Sequence, residues 1–316
     1  MPCYHPKEVW RHKQGGISFN KYNCVTGPET PATHIPCNQC IGCRLDRARA
    51  WSLRLSHEAK MHKYNCFVTL TYDDENLPEA GNLVPEHVRL FMKTLRKKRK
   101  ARFYACGEYG EQTKRPHYHA ILFGQDFTLG ARRAGGSDES PLFHSQELTD
   151  IWGRGFTTVG RVSPQSCAYV ARYVVKKING VLADQHYTVM HNGKPFIRRP
   201  EFSRMSRMPG IGESYFQQHG LEACQHDSVI VNGKPVPPPS YYHRLAARSV
   251  SLQHAIPDPR RSTRKLDDRT WSGETIVAEI KKRRVQKAKL KKADNTPERL
   301  AVREEHATKT LKKRTL

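Results

Sequence analysis

Two histidines one residue apart, His117 and His119 in Arg115-Pro-His-Tyr-His119, offer the clearest chemistry in the chain. Side chains alternate faces along a strand, so both imidazoles project from one side and Tyr118 from the other. Two imidazoles so spaced can grip one divalent cation. The preceding stretch, Arg102 to Gly110, reads as a strand entering a turn at Glu111-Gln-Thr-Lys114. Hairpin pairing then carries Glu108 beside the imidazoles, with Glu111 as the alternative carboxylate in another register. One carboxylate and two histidines suit Mg²⁺ or Mn²⁺ better than a closed structural zinc site, because coordination positions stay open for substrate oxygens.

Two further groups carry chemistry. Pro164 opens a predicted helix in which Tyr169 and Tyr173, four residues apart, share a face; Lys176 and Lys177 follow three and four residues later. Alone, such a stripe reads as core or interface, and it gains weight only beside a metal strand. In Cys37-Asn-Gln-Cys40-Ile-Gly-Cys43 three thiolates can surround one ion. Cys3, Cys24 or His34 would be the fourth ligand, with Cys24 set beside the three as the working choice. Zinc is the first reading. The spacing also resembles part of an iron–sulfur run, although the usual following Cys-Pro is missing.

The elements that must position these groups follow from periodicity. Leu45, Ala48, Trp51, Leu55 and Ala59 recur at helical spacing between about Arg44 and His62. Cys66-Phe-Val-Thr-Leu-Thr-Tyr72 is β-branched and aromatic and reads as a central strand. Pro85 opens a helix carrying Val88, Phe91, Met92 and Leu95 that ends in Arg96-Lys-Lys-Arg-Lys100, a run long enough to meet a nucleic-acid backbone. Residues 125–145 look like a loop insertion, Gly155–Gly160 like a strand, and residues 181–215 like an irregular stretch. Pro237-Pro-Pro239 marks a boundary, and residues 260–316 hold 19 Lys and Arg against 8 Asp and Glu, a basic arm. The expected organisation is a Cys-rich segment over 1–43, a catalytic domain over 44–215 and a basic extension over 216–316.

Charge limits the partners. The 316 residues include 54 Lys and Arg against 30 Asp and Glu, a formal +24 that suits a polyanion, nucleic acid first. No apolar run approaches the ~20 residues of a membrane span, and no signal-peptide core is visible. Nine cysteines without an export signal point to reduced thiols and a cytoplasmic location.

Together, Phe67-Val-Thr-Leu-Thr-Tyr72, Arg115-Pro-His-Tyr-His119 and Tyr169-Val-Ala-Arg-Tyr173-Val-Val-Lys176 resemble the three motifs of HUH-superfamily endonucleases, which start rolling-circle replication. The chain is similar to the replication initiators of small single-stranded-DNA phages, the gokushovirus-like Microviridae. The Cys37–Cys43 run and Met208-Pro-Gly-Ile-Gly212 look like further marks of that group, and the likeness covers roughly residues 1–215. It implies an α+β, ferredoxin-like antiparallel sheet with flanking helices. It also implies a metal on His117, His119 and Glu108, and nicking by Tyr169 and Tyr173 in alternation. Lys176, or else Lys177, would stabilise the phenolate or the phosphate. Thr69, Thr71 and Tyr72 of the first motif would contact DNA, as would Arg96, Lys97 and Arg172. Single-stranded origin DNA and the host polymerase, helicase and single-strand-binding protein are the implied partners. In this family the residue between the histidines is usually aliphatic; Tyr118 departs from that and bears on packing behind the strand. A relaxase or transposase of the same chemistry would use one tyrosine or place it ahead of the histidines. In a non-catalytic, zinc-stabilised nucleic-acid-binding protein, the tyrosine helix would be core alone.

Overall fold

The computed structural model describes residues 3–24, 32–177, 182–231, 233–255 and 296–315, with residues 278, 282 and 286. In chain order its elements are β1 (Lys7–Arg11), β2 (Ile17–Ser18), β3 (Thr33–Ile35), α1 (Ile41–Lys60), β4 (Asn65–Tyr72), α2 (Pro85–Lys98), β5 (Arg102–Tyr109) and β6 (Pro116–Phe123). There follow β7 (Arg132–Gly136), β8 (Pro141–His144), α3 (Gln146–Trp152), β9 (Gly155–Arg161), α4 (Pro164–Lys176) and α5 (Leu182–Tyr187). The remainder is β10 (Thr188–His191), β11 (Lys194–Ile197), β12 (Phe202–Met205), α6 (Glu213–Gln225), β13 (Val229–Val231), β14 (Lys234–Val236), α7 (Ser240–Ala255) and α8 (Pro297–Thr315). The chain divides into two compact units, Met1–Arg47 with Arg284–Leu316, and Ala48–Arg283.

The larger unit is built on a seven-stranded antiparallel sheet of order β12-β5-β6-β4-β9-β8-β7. Its centre, β5-β6-β4-β9, is the split βαβ arrangement of a ferredoxin-like fold, so the class is α+β with helices flanking the sheet. Strict alternation sorts the strands onto two faces. Val68, Leu70 and Tyr72 of β4, Phe103 and Ala105 of β5 and Tyr118, Ala120 and Leu122 of β6 face α2 and α3. There they meet Val88, Phe91, Met92 and Leu95, the apolar stripe of α2, and Leu148, Ile151 and Trp152 of α3. Each such large side chain contributes roughly 1.5–3 kcal/mol by leaving water. The opposite face gathers Tyr104, Cys106, Ile121 and Phe123 against Leu55 of α1 and Cys167, Val170 and Ala171 of α4.

Tyr118 resolves the packing behind the histidine strand. Fully buried, its hydroxyl lies 2.7 Å from that of Tyr72 and accepts the Val84 N–H at 2.9 Å, so a tyrosine replaces an aliphatic residue without an orphaned polar group.

Three segments hold more regular structure than their sequence suggests. Residues 125–145 contain the β7–β8 hairpin, which extends the sheet through β9. The stretch after α4 supplies the β10–β11 hairpin and β12, whose pairing covers the outer edge of β5. In the smaller unit β2-β1-β3 form a three-stranded sheet, and the basic carboxy-terminal sequence contains the helix α8. Among the described residues no helix is long and apolar enough to cross a membrane.

Candidate active site

The hairpin register sets the site. Glu108 of β5 stands opposite His117 of β6, which stands opposite Thr71 of β4, which stands opposite Phe156 of β9. One pleat further along, the row is Cys106, His119, Thr69 and Thr158. Partners across a sheet share a face, so these side chains share the face on which α4 packs.

Each imidazole is fixed through the nitrogen turned toward β4. Thr69 Oγ1 is 3.0 Å from His119 Nδ1, and Thr71 Oγ1 is 3.0 Å from His117 Nδ1. Each threonine hydroxyl can pair with Nδ1 in either tautomer; with the proton on Nδ1, Nε2 would be the lone-pair nitrogen that a metal takes. His119 Nε2 lies 2.7 Å from Glu108 Oε1. This is a hydrogen-bonded pair, Nε2–H donating to the carboxylate. Its separation is near the roughly 3 Å between adjacent donors on an octahedral ion with bonds of about 2.1 Å. His117 stands in the neighbouring row of the same face; burial first, then the nearby His119, hold its pKa below the ordinary histidine range and favour the neutral form. Gly110 packs close beside it: a Cβ there would lie 3.0 Å from His117 Nε2, so the ring would have to give.

Helix α4 begins where Ser163 and Ser166 form a reciprocal capping box with Pro164 in the first turn. That start aims two tyrosines at His119. The Tyr169 ring meets His119 edge-on at 5.3 Å and Phe67 at 6.0 Å. The Tyr173 ring stacks on His119 at 5.5 Å and meets Tyr169 at 5.1 Å. Their exposure separates them. Tyr169 is 37% accessible and, with Thr69, Thr71, Glu108, Glu111, His117 and His119, lines a cavity of about 320 Å³; Tyr173 is 4% accessible. Burial first, then the charge of Glu108, drive the Tyr173 phenol well above the usual tyrosine range.

Other expected residues fall into place or outside it. The Arg172 guanidinium sits 5.9 Å over the Tyr169 ring, and Lys177 is the half-buried residue closing α4. The Lys176 side chain lies outside the described residues. Tyr72 is a correction: it is wholly buried on the opposite face, bonded to His87 Nδ1 at 2.6 Å, and is unavailable to DNA. The alternation that aims Thr69 and Thr71 into the cleft turns Tyr72 away. Arg96 and Lys97 lie on α2, across the sheet from the cleft. Arg96 donates to Ala101 O and Ser206 Oγ, and Lys97 is exposed. Sequence reading passed over Arg115, which donates to Tyr72 O and to Asp74 Oδ1 at 2.7 Å and so ties the histidine strand to β4. It also passed over Phe156, 67% exposed on the cleft face. An aromatic in a strand whose alternation points it outward was the available signal.

In the smaller unit the three motif cysteines meet a fourth thiol, and it is Cys3, not Cys24. The Sγ atoms of Cys3, Cys37, Cys40 and Cys43 all lie within 4.8 Å of one another. Cys24 is buried elsewhere, its Sγ 3.9 Å from Asn20 O and its backbone bridged to His12. The strand pairing of β1 with β3 brings the first residues back to the motif, a contact that spacing along the chain does not reveal.

Residues 65–178, which hold the whole cleft, match the family described as replication-associated protein ORF2/G2P. Across 301 residues the chain is 31% identical to the replication-associated protein ORF2 of Spiroplasma virus 4, covering 88% of this chain and 90% of that one. The chain belongs to this family of phage replication-associated proteins. It is also 30% identical over 254 residues to the replication-associated protein VP4 of Bdellovibrio phage phiMH2K, covering 77% of this chain and 76% of that one. A third relative, the replication-associated protein ORF4 of Chlamydia phage 1, is 28% identical over 229 residues, 69% of this chain and 54% of that one. No solved structure matches the chain significantly.

Proposed function

We propose that this replication-associated protein nicks and rejoins single-stranded origin DNA through a tyrosine–phosphodiester exchange that starts rolling-circle replication. The observation carrying this reading is the accessible Tyr169 phenol in one cavity with His117, His119 and Glu108. A phenol with a free pKa near ~10 is a weak nucleophile and needs a site that favours its anion and the charge developing on phosphate. Tyr169 Oη passes its proton to solvent, which later returns one to the departing O3′, and bonds to phosphorus. The P–O3′ bond breaks, leaving a 5′-phosphotyrosine and, once its oxygen is protonated, a 3′-hydroxyl that primes the host polymerase. A Mg²⁺ or Mn²⁺ ion on His117, His119 and Glu108 would supply charge neutralisation and polarisation at the scissile phosphate. Thr69 and Thr71 hold the imidazole rings. Arg172 favours negative charge near Tyr169. Phe156 offers a stacking surface for a flanking base.

Tyr169 makes the first cut in this reading, because it is the accessible tyrosine that lines the cavity. Tyr173 serves the second exchange, after the first adduct forms and α4 shifts, and the 3′-hydroxyl then closes the released circle. The reaction belongs in the host cytoplasm, with helicase and single-strand-binding protein presenting the DNA.

The test is incubation of the full chain with a labelled single-stranded oligonucleotide bearing the phage origin, with and without Mn²⁺, followed by a denaturing gel. A covalent protein–DNA band that requires the metal is expected. Reversible shifts without any covalent band would reduce the protein to a nucleic-acid binder.

A further inference from the structure

We propose that Cys3, Cys37, Cys40 and Cys43 hold one zinc ion, and that this ion clamps the carboxy-terminal helix α8 to the amino-terminal segment. The sulfur geometry is that of a single tetrahedral ion. With Zn–S bonds of about 2.3 Å, tetrahedral sulfurs stand roughly 3.8 Å apart. Cys37 and Cys43 are 4.0 Å apart and Cys40 and Cys3 are 3.9 Å apart. None of these cysteines is in a disulfide. A multi-iron cluster would place thiolates bound to different metal atoms farther apart than four ligands of one ion.

Backbone amides already point at the sulfurs as they would at thiolates. Cys37 N–H donates to Cys3 Sγ at 3.1 Å, Cys40 N–H to Cys37 Sγ at 3.3 Å and Tyr4 N–H to Cys40 Sγ at 3.3 Å. Such bonds stabilise negative sulfur and fix the ligand directions.

The helix rests on this cluster. Leu300 is 5% exposed and packs with Tyr4 and Cys40, while Cys3, Cys37, Cys43 and Ala307 close around them. Residues 300, 304 and 307 recur at helical spacing, and the middle one, Glu304, accepts from His5 Nε2 at 2.7 Å. Among the described residues, the buried members of this cluster are Tyr4, Cys40 and Leu300. So few buried apolar groups contribute little toward ordering a helix, and small units commonly add a metal or a disulfide as a staple. The ion therefore joins the two ends of the chain, and its removal frees α8.

Metal analysis of the full-length protein, dialysed against one equivalent of zinc, should find about one zinc per chain. Cys3→Ser should lose the ion, and Cys24→Ser should keep it. Replacement by Co²⁺ should give the ligand-field bands of a tetrahedral tetrathiolate. Tryptic cutting at Arg299 and Arg303 should accelerate by roughly tenfold or more on chelation and recover on adding zinc back. Leu300→Asp should release the helix to trypsin while zinc stays bound, which separates helix docking from ligation. Zinc retained by Cys3→Ser, iron with inorganic sulfide in place of zinc, or cutting rates indifferent to chelation would each overturn the proposal. None of these measurements reads nicking, so their failure would leave the tyrosine chemistry standing or falling on its own assay.

Discussion

The proposed nicking cleft and the proposed zinc knuckle gather their candidate metal donors by opposite means. In the cleft, the imidazoles and the carboxylate stand on neighbouring strands of a sheet covered by apolar residues on both faces, so register alone sets their spacing. In the knuckle, donors come from both sides of a small three-stranded sheet and the start of α1, around a core of few buried residues. Among the described residues, only the four thiols crowd within mutual reach of one ion; the cleft donors stand more openly. A sheet-borne site keeps its shape without the ion and leaves positions for substrate oxygens, as catalysis requires. A knuckle trades that openness for the free energy of metal binding, which becomes folding free energy.

If the two regions are independent, disabling the first must leave the second untouched. Tyr169→Phe removes the attacking oxygen while keeping the ring contacts with Phe67 and His119. It should lower initial cleavage by ~10³-fold or more, with unchanged zinc content and unchanged urea midpoint. Quantifying the covalent band beside those two measurements decides it; residual cleavage near the parent rate would hand the first cut to Tyr173.

Acid should weaken the sheet-bearing unit through a group remote from either site. His57 of α1 is 3% exposed, its Nδ1 2.8 Å from Tyr242 Oη and its ring stacked 3.8 Å from that of Tyr215. Burial first, then the charge of Lys60, push its pKa down to about 4. The unfolded chain takes up its proton near pH 6.5 while the folded one refuses it. This contribution is therefore complete above pH 6.5 and drains away as the pH falls toward 4, about 3 kcal/mol in all. His57→Asn should flatten the stability profile across that window, measured by urea unfolding at successive pH values. An unchanged profile would place the acid response elsewhere.

What could be read from the sequence divides along the same line as the two sites. The cleft was legible because period-two alternation fixes which strand residues share a face: His117 with His119, and Glu108 beside them through a short hairpin. The same rule, applied to β4, separates Thr71 from Tyr72, and Tyr72 was misplaced only because the motif was taken as a unit. The knuckle was legible in its local half, Cys37 to Cys43, and blind in its distant half. Cys3 arrives through the pairing of β1 with β3 and Leu300 from nearly the far end of the chain, and no spacing records either contact. The β7–β8 hairpin and β12 were missed for a related reason. Their strands are only five and four residues long, β7 is glycine- and arginine-rich, Pro141 opens β8, and pairing with neighbouring strands rather than propensity makes them strands.

Smaller changes test how much of the cleft is set by register alone. Thr69→Val deletes the oxygen that holds His119 Nδ1 while leaving the strand intact. Loss of such a supporting bond costs roughly 10–100-fold in metal affinity. The Mn²⁺ concentration for half-maximal cleavage should rise accordingly, with the saturated rate little altered. A saturated rate that fell instead would mean Thr69 acts on the DNA. Phe156→Ala should weaken oligonucleotide binding by the ~1–3 kcal/mol of one stacked base, read as a fluorescence-anisotropy titration, and should leave metal dependence unchanged.

The smallest effect on the first cut belongs to Tyr173→Phe, and it bears most directly on the division of labour along α4. Tyr173 stacks on His119 and lies in the core with Val170 and Ala171, its phenol beside Tyr169 and Glu108. Phenylalanine keeps that ring, so the cleft geometry and the initial cleavage rate should stay within about twofold of the parent, as for a substitution that removes no transition-state contact. Strand joining should fall steeply, because the second exchange has lost its acceptor. A single-turnover assay that follows cleavage and circle closure on one substrate separates these outcomes. Joining at the parent rate would assign both exchanges to Tyr169 and leave Tyr173 as the ring that holds His119 in place.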